Sequence, residues 1–130
     1  MKIIVIGGGI IGASVAYHLA VRGGQVTVLT DGEPGGIATA ASFAWINAAP
    51  GNPRPYFEFR LKGILDWHRL QHELGDRLAI NWKGSLAWRE DGAAMAAEFA
   101  EHASWGYPTY ILSPTQAAKQ EPHLSAYPDQ

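Results

Sequence analysis

Three glycines in the stretch VIGGGIIGASVAYHLAVRGG, Val5 to Gly24, have the spacing that speaks most directly to chemistry. Gly7-x-Gly9-x-x-Gly12, set between an apolar run and a helical pattern, is the signature of a turn that holds the pyrophosphate of a dinucleotide. Each glycine has its own task there. Gly7 permits the tight turn, Gly9 lets the backbone approach the phosphates, and Gly12 lets the helix pack closely on the strand. Backbone N–H groups at the helix N-terminus would meet the phosphates, and the helix dipole favours the anion. A ribose is expected at the end of the second strand, where an acidic residue usually accepts its hydroxyls. Residue 30 is Thr, with Asp31 directly after it. Thr30 offers a neutral acceptor, and Asp31 serves if the strand ends one residue early. No Arg or Lys lies between Gly23 and Asn52, which argues against a 2′-phosphate and so against NADP. The glycine pattern does not by itself separate FAD from NAD.

Other candidate groups carry less. His68 and His72 stand four apart on a predicted helix without a third ligand, so the reading is a solvated helix face and no metal site. The chain has no cysteine, which excludes disulfides, thiolate zinc sites and thiol catalysis. Trp45, Trp67, Trp82, Trp88 and Trp105 are scattered and read as packing residues. No Ser/His/Asp arrangement follows from spacing, and the catalytic residues are left unassigned.

The elements that must position the turn are legible from periodicity. Lys2 to Ile6 is a β-branched run expected as a central parallel strand covered on both faces. Ile10 to Arg22 has helical spacing closed by Gly23-Gly24, and Gln25 to Thr30 is a second strand, completing one βαβ unit. Asp31 to Asn52 is a loop opening at Pro34-Gly35-Gly36, with a short helix around residues 38–44. The turn-rich APGNPRP, Ala49 to Pro55, follows it. Pro55 to Leu74 is an amphipathic helix with Phe57, Leu61, Ile64, Leu65, Trp67, Leu70 and Leu74 near one side, ended by Gly75. Ser85 to Trp88 and Thr109 to Leu112 read as strands, and Ala93 to Ser104 as a helix. Ser113-Pro114-Thr115-Gln116 is a capping-box helix start, with that helix ending before Pro122.

Composition sets the frame. A chain of 130 residues, 47% hydrophobic and 17% charged, is that of a soluble globular protein. A net charge of -2 gives no electrostatic case for nucleic acid. The N-terminal run is interrupted by three glycines and lacks a convincing cleavage site, so it is not read as a secretory signal. No segment reaches the roughly 18 uncharged apolar residues of a membrane span, and the expected location is the cytoplasm.

Taken together, these residues resemble the FAD-dependent oxidoreductases of the D-amino-acid oxidase and glycine oxidase type. The likeness runs through IIVIGGGIIGASVAYHLAVRGGQVTVL, with Ala16 and Gly23 at the family's usual offsets, and through PGGIATAASFAWIN, similar to the family's flavin-side loop. It continues in GSLAWRED, like the first strand of the substrate sheet, and in LSPTQAAKQEPHL. The resemblance implies an α/β, Rossmann-like FAD-binding part over residues 1–80, with an incomplete start of an α+β substrate domain over 81–130. It covers only the N-terminal portion of a family member, so the chain reads as truncated and inactive alone. Family catalytic residues lie mainly in the portions beyond this match. The cofactor positions implied are Gly7, Gly9, Ile10, Ile11 and Gly12 for pyrophosphate, Thr30 or Asp31 for ribose, and Thr39, Ala41 and Ser42 in the flavin-side loop. The implied function is oxidation of a small amine or amino acid by hydride transfer to FAD, with a complementing chain as a further partner. The alternatives are a non-catalytic remnant or nucleotide-binding module, and an NAD-binding domain.

Overall fold

The computed structural model describes residues 1–48 and 51–124. The chain forms two compact units, Met1–Ile46 and Asn47–Gln130.

In the first unit, β1 (Lys2–Ile6) runs into α1 (Ile10–Val21), which returns to β2 (Gln25–Leu29). The two strands pair in parallel, with Lys2 opposite Gln25 and Ile6 opposite Leu29. α1 ends as its glycines dictate. Gly23 takes a φ of 82°, and the N–H groups of Gly23 and Gly24 donate to the carbonyls of Ala20 and Leu19. Side chains alternate across a strand, so Ile3 and Val5 face one way and Ile4 and Ile6 the other. The α1 side is the covered one: Val5 lies 3.7 Å from the Cβ position of Gly12, and Ile3 3.2 Å from that of Gly24. On the opposite face Ile4 and Ile6 are 65% and 86% exposed. The expectation of a strand covered on both faces therefore holds on one face only. Among the described residues no element lies over the other. A short α2 (Ile37–Ala40) follows the loop after β2 and is briefer than the helix expected there.

The second unit is built on α3 (Arg54–Leu74), which carries α4 (Gly92–Ser104) and α5 (Pro114–Gln120) after it. The turn expected over residues 49–55 falls partly outside the described residues. Where described, it delivers Pro53 as the residue preceding α3, and Gly75, at φ 59°, ends the helix. Phe57 is 1% exposed and packs on the rings of Trp105 at 5.0 Å and Tyr107 at 5.7 Å. Leu61, Ile64, Trp67, Leu70 and Leu74 are half-buried along the same side. Leu65 departs from the expected stripe and is exposed. At about 100° per residue it is carried past Ile64 and off the apolar face. His102 is buried against Trp105 and Tyr107. Its Nε2 and the Oγ1 of Thr109 have no hydrogen-bond partner among the described residues.

Helix starts follow the sequence closely. The Asp91 carboxylate accepts from the N–H groups of Ala93 and Ala94. Ser113 and Gln116 form the reciprocal capping box, with Pro114 in the first turn. The two expected strands do not form: residues 85–88 and 109–112 belong to no ladder among the described residues. A strand is defined by a neighbour to bond, and neither segment has one here. The tryptophans also divide. Trp67 and Trp105 are part-buried and Trp82 is stacked on His68, whereas Trp45 and Trp88 are exposed, which corrects the reading of those two as packing residues. Among the described residues no helix is long and apolar enough to cross a membrane.

Candidate functional site: the glycine turn and the loop that returns to it

Gly7 leaves β1 at φ 107°, a conformation that side chains rarely adopt, and its N–H donates to the Leu29 carbonyl at 2.7 Å. That bond ties the turn to the end of β2. Gly9 precedes α1 in extended conformation, φ -76° and ψ -177°, with no side chain capping the helix. The first N–H groups of α1 have no intrahelical acceptor by position: that of Ile10 meets the Thr39 hydroxyl, and those of Ile11 and Gly12 are available to an external anion. A Cβ on Gly12 would collide with the Gly7 carbonyl oxygen, which is the close helix–strand approach expected of the third glycine.

The loop after β2 folds back onto this turn. The Gly35 N–H donates to the Gly8 carbonyl at 2.9 Å, and the Cβ position of Gly36 lies 3.5 Å from the Gly9 Cα. Thr39, in α2, accepts the Ile10 N–H through its Oγ1 at 3.1 Å. That hydroxyl is also 3.3 Å from the position of a Gly9 Cβ. A hydroxyl that accepts from the helix N-terminus retains its own hydrogen to donate, so Thr39 adds an O–H donor beside the backbone N–H groups. Thr30, one residue past β2, lies over Gly8: its Cβ and Oγ1 both stand 2.9 Å from where a Gly8 Cβ would be.

The structure thus brings together Gly7, Gly9, Ile10, Gly12, Thr30 and Thr39 from the residues singled out in the sequence. Asp31, Ala41 and Ser42 are exposed, and the Ser42 hydroxyl accepts the Ala44 N–H at 3.0 Å. Ile11 presents an exposed side chain, its backbone being the relevant part. Sequence reasoning passed over Gly8, Gly35 and Gly36 as site residues. The signal is present in Pro34-Gly35-Gly36, where a glycine pair allows two backbones to approach. His68 stacks on Trp82 with ring centroids 3.7 Å apart, in the second unit. Among the described residues no three His, Asp or Glu are gathered as metal ligands.

With no basic side chain between Gly23 and Asn52, the charge of a bound pyrophosphate would be met by N–H dipoles and the helix terminus. The cradle is one that any Cβ at Gly8, Gly9 or Gly12 would narrow or fill, and it fits the diphosphate of a dinucleotide.

Known proteins resemble this chain over most of its length. The model of the FAD dependent oxidoreductase family, DAO, matches residues 2–129. Glycine oxidase of Bacillus licheniformis is 39% identical over 100 residues, covering 75% of this chain and 26% of that protein. D-proline dehydrogenase of Pyrobaculum islandicum is 50% identical over 149 aligned residues, 94% of this chain and 41% of that protein. D-amino acid dehydrogenase of Neisseria meningitidis is 32% identical over 126 residues, 76% of this chain and 29% of that protein. The chain therefore spans between about a quarter and two fifths of the length of these relatives. The family model, matched almost end to end, places this protein in the DAO family of FAD-dependent oxidoreductases.

Proposed function

We propose that this chain is the FAD-binding portion of an oxidoreductase acting on a small amine or amino acid. The observation that carries the reading is the convergence of Gly9, the Ile10 N–H and the Thr39 hydroxyl at one helix terminus. In this reading Gly7, Gly9 and Gly12, with the backbone N–H groups of Ile10 and Ile11, hold the pyrophosphate. Thr30 or Asp31 stands at the adenosine ribose, and Thr39, Ala41 and Ser42 line the flavin side. Residues 1–80 form the Rossmann-like FAD-binding part, and 81–130 begin the substrate domain. The substrate class rests on the relatives, which are named for glycine, D-proline and D-amino acids. When bound, FAD supplies the acceptor for a hydride from the substrate carbon, and the resulting imine hydrolyses. The chain's own contribution is to bind and orient that cofactor. The proposed location is the cytoplasm.

Flavin fluorescence on titrating FAD into the purified chain tests the reading. Binding is expected in the parent and lost in Gly9→Val, whose side chain would occupy the phosphate approach and press on Thr39. Gly9 has an ordinary extended backbone, so circular dichroism should be unchanged in that variant. A folded Gly9→Val that keeps its FAD affinity would remove the site assignment. A colourless chain without nucleotide affinity would favour the non-catalytic remnant.

A further inference from the structure

We infer that this chain holds the adenosine end of its dinucleotide without a carboxylate on the ribose, and so barely distinguishes ribose from 2′-deoxyribose. The inference rests on the FAD-binding reading and specifies its selectivity. A ribose bound beside such a glycine turn is met by a side chain at the end of the second strand. The β1–β2 ladder closes at Ile6 opposite Leu29, one residue earlier than expected, which would have favoured Asp31. The contacts select Thr30 instead. Its Cβ, Oγ1 and Cγ2 stand 2.9, 2.9 and 3.4 Å from the Cβ position of Gly8, so this side chain roofs the middle of the turn. Thr30 and the carboxylates that follow, Asp31 and Glu33, are all exposed, and it is the position over Gly8 that sets Thr30 apart.

The consequence is chemical. A carboxylate accepting a ribose hydroxyl makes a charge-assisted bond about twice as strong as a neutral one, and strands a buried charge when the hydroxyl is missing. A threonine hydroxyl is both donor and acceptor, so it can turn to water or to phosphate when the 2′-hydroxyl is absent. The phosphates, read through N–H groups and Thr39, are the same in both ligands. A 2′-phosphate gains nothing either, because no Lys or Arg lies between Gly23 and Asn52. Affinity should reside in the diphosphate and very little in the sugar.

ADP and 2′-deoxy-ADP, competed against FAD on the full chain, test this directly. The expected ratio of their Kd values is within about threefold for the parent. Thr30→Glu should raise it to roughly tenfold or more, chiefly by tightening ADP. A parent ratio of tenfold or more overturns the inference. If that ratio collapses in Asp31→Asn or Glu33→Gln, the residue responsible is identified as the ribose acceptor. A Thr30→Glu chain that binds ADP but gains no discrimination overturns the placement of position 30. A parent that binds neither ADP nor FAD overturns the FAD-binding reading itself, and the inference with it. Those results are separable, since only the last abolishes binding.

Discussion

The two units of this chain are ordered by different means. Asn47–Gln130 has a small conventional core, with Ala48, Phe57, His102 and Ala117 buried and the rings of Trp105 and Tyr107 closing on Phe57. In Met1–Ile46 no described side chain is fully buried, although that unit carries the glycine turn and the whole candidate site. Its order comes from the parallel ladder, the backbone bonds Gly7 to Leu29 and Gly35 to Gly8, and the Thr39 contact. A site read by backbone N–H groups needs the backbone fixed, and local bonding does that with little apolar burial. The bare face bearing Ile4, Ile6 and Leu29 is the counterpart: a parallel sheet ordinarily has both faces covered.

Four substitutions break or sharpen that comparison. The largest effect belongs to Phe57→Ala, which removes the ring at the centre of the second unit's core. A loss of about 3–5 kcal/mol is expected, read by thermal or denaturant melting with tryptophan fluorescence. Gly12→Ala comes next, because its methyl would strike the Gly7 carbonyl oxygen and drive α1 off the turn. Roughly 1–3 kcal/mol is expected, with FAD binding lost alongside it, unlike the fold-preserving Gly9→Val. Stability equal to the parent's would mean that the helix is not packed this closely. Asp91→Ala removes the acceptor for two N–H groups at the start of α4, and should cost on the order of 1 kcal/mol by denaturant titration. Ile6→Thr is the smallest. On the uncovered face it should change stability of the isolated chain by no more than about 0.5 kcal/mol. A larger loss there would show that something covers the face in solution.

What was legible in the sequence follows the range of the interactions involved. α1 was expected over residues 10–22 and forms over Ile10–Val21, because glycine stops and helical spacing are local signals. The Ser113–Gln116 box was legible for the same reason, all its atoms lying within four residues. Residues 85–88 and 109–112 have strand composition, but a strand is a property of a pair, and no pairing partner occurs among the described residues. At the site, Gly7, Gly9 and Gly12 were readable from spacing. The capture of Ile10 by Thr39 was not, since it spans 29 positions and depends on two glycines letting the loop approach. The same holds for Thr30 over Gly8. Sequence named the residue, and only the fold showed what it rests on.

The Thr39 contact also sets a clock. Amides in the first turn of a helix have no helical acceptor and ordinarily exchange their hydrogens with solvent quickly. The Ile10 amide, bonded to Thr39 Oγ1 from a distant loop, exchanges when that bond breaks. Its exchange rate therefore reports the release of the Thr39 contact, without any cofactor present. Protection at Ile10 above that at Ile11, erased in Thr39→Val, would measure how often that contact is released.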